Sequence, residues 1–179
     1  MKYFSKITGG RIYLSPIDAD DAELYARWLN DPAVAVNLGL YGGLISLPNE
    51  KRVLERMTDE GHNYAIVLKD GDELLGNISL MNIDQIHRRA TLGLFIGEAA
   101  RRGKGYGAEA IRLLLGFGFN TLNLHNIMLM CHAGNAQGIA CYEKAGFREF
   151  GRRREAHFRG GGYTDVVYME ILDSEFAGG

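Results

Sequence analysis

The stretch Glu98–Ala110, EAARRGKGYGAEA, most restricts the fold of this chain, because it separates two different sequence patterns. Strand-like runs precede it, whereas the apolar residues that follow recur at the spacing of a helix with a wide buried face. Glycines at 103, 105 and 107 permit a backbone turn that other residues adopt less easily. The stretch therefore predicts a strand, a glycine turn and the first turn of a helix, in that order.

The remaining elements predict a mixed α+β chain. Pro32 ends the first predicted helix, and the sequences DGDE and RGGG are typical of hairpin turns. The apolar run at 126–134 is typical of a strand covered on both faces. In chain order we predict a strand at 11–17, a helix from Asp18, a loop at 34–46, a helix at 47–61, strands at 63–70, 73–83 and 88–97, a helix at 105–120, a strand at 126–134, a short helix at 135–147 with Gly146 just past its end, and a hairpin at 148–172.

This order, β-α-α-β-β-β-α-β-α-β-β, predicts a fold class. Consecutive strands joined by short turns favour antiparallel pairing, and the helices must cover the sheet to bury their apolar faces. We therefore expect a central, mostly antiparallel twisted sheet of about seven strands flanked by about four helices. The length of 179 residues favours one domain over 1–179, with its core at about 11–172.

Composition excludes several classes of protein. The formal net charge of −2 argues against nucleic-acid binding. No apolar run reaches the ~20 residues of a membrane span, and the start lacks a signal-peptide pattern, so we expect a cytoplasmic protein without a membrane partner. Cys131 and Cys141 are expected to be free buried thiols, and the five scattered histidines predict no metal site.

Two nucleotide-binding motifs fit the glycine turn poorly. A Walker loop has four residues between its glycine and Gly-Lys-Ser/Thr, whereas five separate Gly97 from Gly103, and Gly105 follows Lys104. The pattern Gly103-x-Gly105-x-x-Ala108 matches a dinucleotide fingerprint, but the next strand ends in CHAGN without the carboxylate that binds ribose. A helix start that offers unpaired N–H groups to a diphosphate fits better, with positive charge from Arg101, Arg102 and Lys104. A flexible basic turn without a ligand is the alternative.

The same residues resemble the GNAT superfamily of N-acetyltransferases. Arg102-x-x-Gly105-x-Gly107 matches that family's Arg/Gln-x-x-Gly-x-Gly/Ala signature, and Asn135, seven residues before Tyr142 in YEKAGF, is similar to its later strand–helix motif. The resemblance covers about 11–172 and is strongest to ribosomal-protein N-terminal and bacterial polyamine acetyltransferases. It implies a GNAT-like sheet and an enzyme that transfers the acetyl group of acetyl-CoA to a primary amine.

The resemblance also implies roles for individual residues. Tyr142 would face the sulfur of acetyl-CoA and act as general acid for the leaving thiolate, while Asn135 would bond the cofactor's amide arm. A neutral amine would attack the thioester directly in a ternary complex. The remaining residues implied to bind acetyl-CoA are the strand backbone at Leu94, Phe95 and Ile96 and the loop residues Arg102, Gly103, Lys104, Gly105, Tyr106, Gly107 and Ala108.

The general base and the acceptor are not assigned by the sequence. Relatives often use a glutamate where this chain has Thr91, and the nearby candidates Asp84, His87, Glu98 and Glu109 compete with a water chain. The acceptor is expected to be a small amine, a polyamine or a peptide amine, bound in part by 34–46. Acidic clusters that could attract a polyamine are Asp18, Asp20, Asp21 and Glu23, and Asp70, Asp72 and Glu73.

A covalent mechanism and two rival functions also stay open. Cys131 or Cys141 could serve as the nucleophile of a ping-pong enzyme, although neither has a basic partner at a recognisable spacing. The basic run at 151–162 is expected to be a solvated strand edge. A non-catalytic acyl-CoA sensor and a nucleotide-binding protein are the rival functions, and either a monomer or a homodimer is compatible with the sequence.

Overall fold

The computed structural model describes residues 2–40 and 42–178, with Arg159 described only through its backbone. These residues form eight strands and five α-helices. In chain order they are β1 (Ile7–Thr8), β2 (Ile12–Pro16), α1 (Ala22–Asn30), α2 (Pro32–Leu38), α3 (Leu47–Asp59), β3 (Asn63–Leu68), β4 (Glu73–Asp84), β5 (Arg89–Ile96), α4 (Tyr106–Asn120), β6 (Asn126–His132), α5 (Ala136–Lys144), β7 (Arg148–Arg159) and β8 (Gly162–Leu172).

The strands form a sheet in the order β1-β2-β3-β4-β5-β6-β8-β7. The pairs β1–β2, β2–β3, β3–β4, β6–β8 and β7–β8 are antiparallel. β5 and β6 pair in parallel from Arg89 opposite Asn126 to Thr91 opposite Met128. The predicted mixed fold with a mostly antiparallel sheet is therefore confirmed, with β1 as an additional short strand.

The chain divides into two compact units, and the predicted single domain over 1–179 stays a prediction. The first unit comprises the chain up to Ser79 together with Leu94–Ala110, and the second comprises Leu80–Gly93 together with the chain from Ile111 onwards. The core of the first unit is aromatic. Tyr25 and Trp28 of α1 pack edge-on at a centroid distance of 5.5 Å, beside the buried Leu54 of α3. Buried aliphatic residues form the core of the second unit, namely Ile111, Leu114, Leu115, Leu124, Ile127, Leu129, Val167 and Ile171.

The predicted loop at 34–46 is wrong at its start, because α2 occupies Pro32–Leu38. Proline is tolerated in the first turn of a helix, and here it begins a new helix after α1 ends at Asn30. The Asp31 carboxylate caps α2 by accepting from the N–H of Ala33 at 2.9 Å. Within the rest of the predicted loop, Tyr41 lies outside the described residues.

The predicted complete burial of β6 is also wrong. Its side chains alternate between buried and more exposed positions, and Met130 is 56% exposed. An apolar run alone cannot distinguish a strand covered on both faces from a strand that has one apolar exposed face. The final hairpin is confirmed: Gly160 and Gly161 have φ values of 56° and 82°, as a two-residue turn of this kind requires. The basic residues Arg152–Arg154 are exposed on β7, which is the last strand of the sheet.

Candidate active site

The residues expected to bind acetyl-CoA fall into two groups. Leu94–Ile96 and Arg102–Ala108 lie in the first unit, whereas Asn135 and Tyr142 lie in the second. In the first unit β5 ends at Ile96, one turn of 3₁₀ helix spans Ala99–Arg101, and α4 begins at Tyr106. The structure therefore confirms the predicted sequence of strand, glycine turn and helix.

The glycine turn presents the start of α4. Gly103 and Gly105 have φ values of 72° and 85°, which a residue with a Cβ adopts only with strain. The first intrahelical bond runs from the N–H of Glu109 to the carbonyl of Gly105 at 3.1 Å. The N–H groups of the three intervening residues, Tyr106, Gly107 and Ala108, consequently have no acceptor one turn earlier. Such N–H groups, at the positive end of the helix dipole, fit a diphosphate.

Both arginines of the turn have partners within the first unit. Arg101 forms an ion pair with Glu73, in which Nε donates to Oε1 at 3.0 Å. The Arg102 guanidinium turns back and donates to the carbonyls of Ile96 at 3.0 Å and Gly97 at 2.6 Å. The fork of Arg102 thus fixes the turn through bonds to two neutral carbonyls, and the expectation that its charge lies around the ligand stays a prediction. Lys104 is exposed and has no ion pair among residues 2–40 and 42–178.

The backbone of β5 at Leu94–Ile96 is held against the first unit's core. The Phe95 ring packs edge-on against Tyr25 and Trp28, with centroid distances of 5.9 Å and 6.1 Å. The N–H of Gly97, directly after β5, donates to the carbonyl of Leu75 in β4 at 2.8 Å. The strand end is consequently a fixed platform rather than a mobile one.

Both glutamates beside the turn have structural partners. Glu98 accepts from the Trp28 indole at 2.9 Å and from Arg27 at 3.0 Å. Glu109 accepts from the backbone N–H of Arg11 at 2.8 Å and from its Nε at 2.9 Å. These contacts make both glutamates anchors of the turn.

The candidate bases in the second unit are Asp84 and His87, and the Asp84 carboxylate also has structural partners. Asp84 accepts from the N–H groups of Ile86 and His87 at 3.1 Å and 2.9 Å, and pairs with Arg89 at 3.3 Å. Its backbone hydrogen bond from His87 is the main reason that the pKa of Asp84 lies below its ordinary value. The carboxylate therefore caps a turn, and the general base stays unassigned.

Glu109 gives a testable pH dependence of stability. Burial acts to raise its pKa, but hydrogen bonds from Arg11 and from the N–H of Ile12 outweigh burial and lower the pKa below 4.5. A carboxyl whose pKa is lowered by folding stabilises the protein above its unfolded-state pKa, and this stabilisation is lost as pH falls through the folded-state pKa. We expect the wild type to exceed Glu109→Gln in free energy of unfolding by a constant amount at about pH 6 to 8, and by less and less in acid.

Urea unfolding at a series of pH values measures this difference. Glu60→Gln is the control, because it removes an exposed carboxylate that lies 3.7 Å from Arg56 on α3. A difference between wild type and Glu109→Gln that stays the same down to about pH 3 would contradict the assignment.

Tyr142 in the second unit lies on α5 and is 9% exposed. Its ring lies edge-on to Phe147 at a centroid distance of 6.2 Å. Burial, and after it the neighbouring Cys131 and Cys141, raise the pKa of the Tyr142 phenol well above its ordinary value. The phenol is therefore a proton-bearing donor throughout the neutral range.

Asn135 is the N-cap of α5. Its side-chain oxygen accepts from the N–H of Gly138 at 3.0 Å, and a Cβ on Gly138 would come within 2.5 Å of the Asn135 amide nitrogen. The side-chain oxygen is thus used in capping, and the NH₂ group is the part of the side chain that can donate. Asn135 also acts on the thiol of Cys131, whose pKa it tends to lower.

The two cysteines are free thiols, as predicted, but only Cys131 is buried, whereas Cys141 is half-buried. Burial raises the pKa of Cys131 to about 11, against a smaller opposing effect of Asn135. Burial also raises the pKa of Cys141, because the nearby Lys144 and Arg112 compensate only in part. A thiol must ionise to act as a nucleophile, so these values disfavour a covalent acetyl-cysteine intermediate.

The described residues contain neither a cluster of metal ligands nor a membrane-spanning helix. Across 2–40 and 42–178, no three His, Cys, Asp or Glu residues are grouped so that they could hold a metal ion. None of the helices in these ranges combines the length and the hydropathy needed to cross a bilayer.

Sequence reasoning located the glycine turn and missed the residues that fix it. Arg11 and Glu109 are 98 positions apart, and Trp28 and Glu98 are 70 apart, so local patterns carried no sign of either contact. The one available signal was that Glu98 and Glu109 both flank the turn. It led us to consider them as bases, whereas the structure shows them as anchors.

Comparison with known proteins places the chain in a family. The model of the acetyltransferase (GNAT) domain matches residues 11–148. An uncharacterised N-acetyltransferase of Bacillus licheniformis, p20, is 27% identical over 172 residues, which are 94% of this chain and 96% of p20. Bacillus subtilis YdaF, provisionally named a ribosomal N-acetyltransferase, is 36% identical over 112 residues, which are 63% of this chain and 60% of YdaF.

A solved structure of similar shape comes from Vibrio cholerae. The spermidine N-acetyltransferase of that organism, crystallised with CoA and spermine, is 26% identical and superposes with a TM-score of 0.81 over 93% of this chain and 98% of that one. The family model spans more than half of the chain and includes the glycine turn, Asn135 and Tyr142. The chain therefore belongs to the GNAT family of N-acetyltransferases.

Proposed function

We propose that this enzyme transfers the acetyl group of acetyl-CoA to the primary amine of a small molecule or peptide. The observation that carries the proposal is the turn at Gly103–Ala108, whose left-handed glycines leave the first N–H groups of α4 open to a diphosphate. The backbone of Leu94–Ile96 is proposed to pair with the pantetheine arm, and the Asn135 NH₂ group to donate to an amide carbonyl of that arm.

The proposed chemistry is direct attack of a neutral amine on the thioester carbonyl. The new C–N bond forms and the C–S bond breaks; the nitrogen gives up one proton to water, and the sulfur leaves as a thiolate that is then protonated to the free thiol. Both reactants are held together in one complex, so no covalent enzyme intermediate is needed. The raised pKa values of Cys131 and Cys141 support this route over a ping-pong route.

Tyr142 is proposed to donate to the departing sulfur. Burial keeps the phenol protonated, and a group with a pKa far above neutral donates a hydrogen bond more readily than it releases its proton. We therefore refine the predicted role of Tyr142 as general acid. The phenol first donates a hydrogen bond that stabilises the thiolate, and it transfers its proton only as the sulfur becomes more basic. This description agrees with the burial of the side chain as well as with its chemistry.

The acceptor is proposed to be a primary amine attached to an apolar group. Residues 32–49, which include the predicted acceptor segment 34–46, contain no charged residue, and the Leu44 side chain is 95% exposed. Three of the seven acidic residues that could attract a polycation have other partners: Asp21 pairs with Lys2, Asp72 accepts from the Tyr13 hydroxyl at 2.8 Å, and Glu73 pairs with Arg101. Spermidine, a substrate named for relatives of this chain, is the amine against which an apolar amine is compared in an assay.

Ligand-dependent unfolding and a thiol-release assay test the proposal. We expect CoA and acetyl-CoA to raise the unfolding temperature, with about 2.7 kcal/mol of stabilisation at 100 times Kd, and NAD and ATP to leave it unchanged. Free thiol should then appear when acetyl-CoA is mixed with phenylethylamine, spermidine or an apolar-terminus peptide.

The outcomes separate the rival functions. Stabilisation by CoA without thiol release from any amine would indicate an acyl-CoA sensor. Stabilisation by NAD or ATP but not by CoA would indicate a nucleotide-binding protein. Faster release with spermidine than with phenylethylamine would overturn the apolar acceptor while leaving the acetyltransferase intact.

A further inference from the structure

Arg11 contacts the glycine turn from a distant part of the sequence. It lies directly before β2, in the first unit, and its backbone N–H and Nε both donate to Glu109 in the first turns of α4. The adjacent N–H of Ile12 reaches the same carboxylate at 3.4 Å. Glu109 is therefore held by one side chain and two backbone groups at the start of β2.

The other end of the Arg11 guanidinium reaches the turn itself. Nη1 donates to the carbonyl of Lys104 at 2.9 Å, and the guanidinium carbon lies 4.8 Å from the centre of the Tyr106 ring. A Cβ added to Gly105 would lie 3.2 Å from Nη2, so the Arg11 guanidinium also closely approaches Gly105, the residue between Lys104 and Tyr106. One guanidinium thus bridges the backbone of the turn to the first residues of α4.

We infer that Arg11 is a positioning residue for acetyl-CoA, because it holds the glycine turn in the conformation that binds the diphosphate. This inference rests on the proposed function. Gly103 and Gly105 lack a Cβ and can adopt many backbone conformations, so the turn needs restraints from outside itself. If the turn is competent for only part of the time, the apparent Kd rises by the inverse of that fraction.

The geometry favours positioning over direct contact with phosphate. The Arg11 charge is already paired with Glu109, with Nε and Oε2 2.9 Å apart, and Nη1 is engaged with a carbonyl. The Arg11 side chain therefore offers little free charge. If Arg11 bound phosphate directly, removing the Glu109 charge would leave CoA binding intact or strengthen it, whereas positioning requires both partners.

Calorimetric titration with CoA and steady-state kinetics with two acetyl donors test the inference. We expect Arg11→Gln to raise the Kd of CoA and the KM of acetyl-CoA by about tenfold, since the guanidinium's hydrogen bonds to Glu109 and to the carbonyl of Lys104 are lost. The value of kcat at saturating acetyl-CoA should not change. The kcat/KM for S-acetylpantetheine, which has no diphosphate, should not change either.

Four further variants separate positioning from charge and from folding. Arg11→Lys keeps the charge without the planar fork, so we expect the same loss of CoA affinity. Glu109→Gln should also raise the Kd, and the double variant should add little because the two residues act through one contact. Arg56→Gln, which removes an exposed arginine from α3, is the control and should bind CoA like the wild type.

Each outcome decides the inference. An unchanged Kd in Arg11→Gln, full rescue by Arg11→Lys, or equal losses with S-acetylpantetheine would overturn it. If the wild type binds CoA tightly and Arg11→Gln binds it with the same Kd, only the role of Arg11 is overturned. A wild type without affinity for CoA would instead overturn the proposed function and this inference together.

Discussion

Tyr142→Phe is expected to lower kcat by about 100-fold or more and to leave the KM of acetyl-CoA unchanged. The substitution removes one oxygen and keeps the ring, so the edge-on packing against Phe147 at 6.2 Å is retained. What is lost is the donor to the departing sulfur. A donor that acts on charge developing in the transition state contributes to turnover and not to ground-state binding. Initial rates of thiol release at varied acetyl-CoA measure both constants.

The matched control is Tyr163→Phe. Tyr163 lies on β8 in the same unit and is 63% exposed, so the control also removes a single phenolic oxygen from the second unit. It should leave kcat and KM unchanged. Unchanged turnover in Tyr142→Phe, or an equal effect of both variants, would show that Tyr142 only packs the end of α5.

The pH profile gives a second readout of the same residue. Because burial raises the pKa of Tyr142 far above neutral, deprotonation of this phenol cannot produce a fall in kcat between about pH 7 and 9. A fall of that kind which vanishes in Tyr142→Phe would show that the phenol titrates in this range and would contradict its burial.

The elements around the turn could be predicted because their signals are local. Glycines two residues apart, followed by a helical period, identify a turn and a helix start within fifteen residues, and Gly146, with a φ of 100°, ends α5 as predicted. Pro32 misled the prediction, since proline both stops one helix and starts the next, and only the Asp31 cap separates the two cases.

The side-chain partners of the turn could not be predicted because they are distant in sequence. Arg101 contacts Glu73 from 28 positions away, and Arg102 contacts backbone carbonyls that carry no sequence signal. The sequence pattern predicts that positive charge is near the turn, and it does not reveal that two of the three cations are already engaged. The charge available to a ligand at a basic loop therefore depends on tertiary structure.

Gly97→Ala is expected to destabilise the protein by about 2–3 kcal/mol, although it adds a single methyl group. A Cβ at this position would lie 2.0 Å from Cδ2 of Trp28, inside the indole ring. The backbone cannot move away easily, because the N–H of Gly97 is bonded to Leu75 at 2.8 Å and its carbonyl to Arg102 at 2.6 Å. Trp28, 3% exposed, must move instead and give up its bond to Glu98.

Urea unfolding followed by tryptophan fluorescence measures this effect directly, because Trp28 is the only tryptophan of the chain. The native emission of Gly97→Ala should also differ from that of the wild type, since the indole changes its surroundings. Gly93→Ala is the matched control on β5: its Cβ would meet the end of the flexible Met81 side chain at 2.8 Å, which can rotate away. We expect that variant to change stability by less than about 1 kcal/mol.

A second background distinguishes the clash from a general intolerance of side chains at Gly97. In Trp28→Leu the indole is absent, so adding Gly97→Ala should cost far less than it does in the wild type, as followed by circular dichroism. Coupling of this kind between two residues is expected only where they touch. If Gly97→Ala lowers the free energy of unfolding by the same amount in both backgrounds, something other than Trp28 requires glycine at position 97. The turn is then not anchored by the indole.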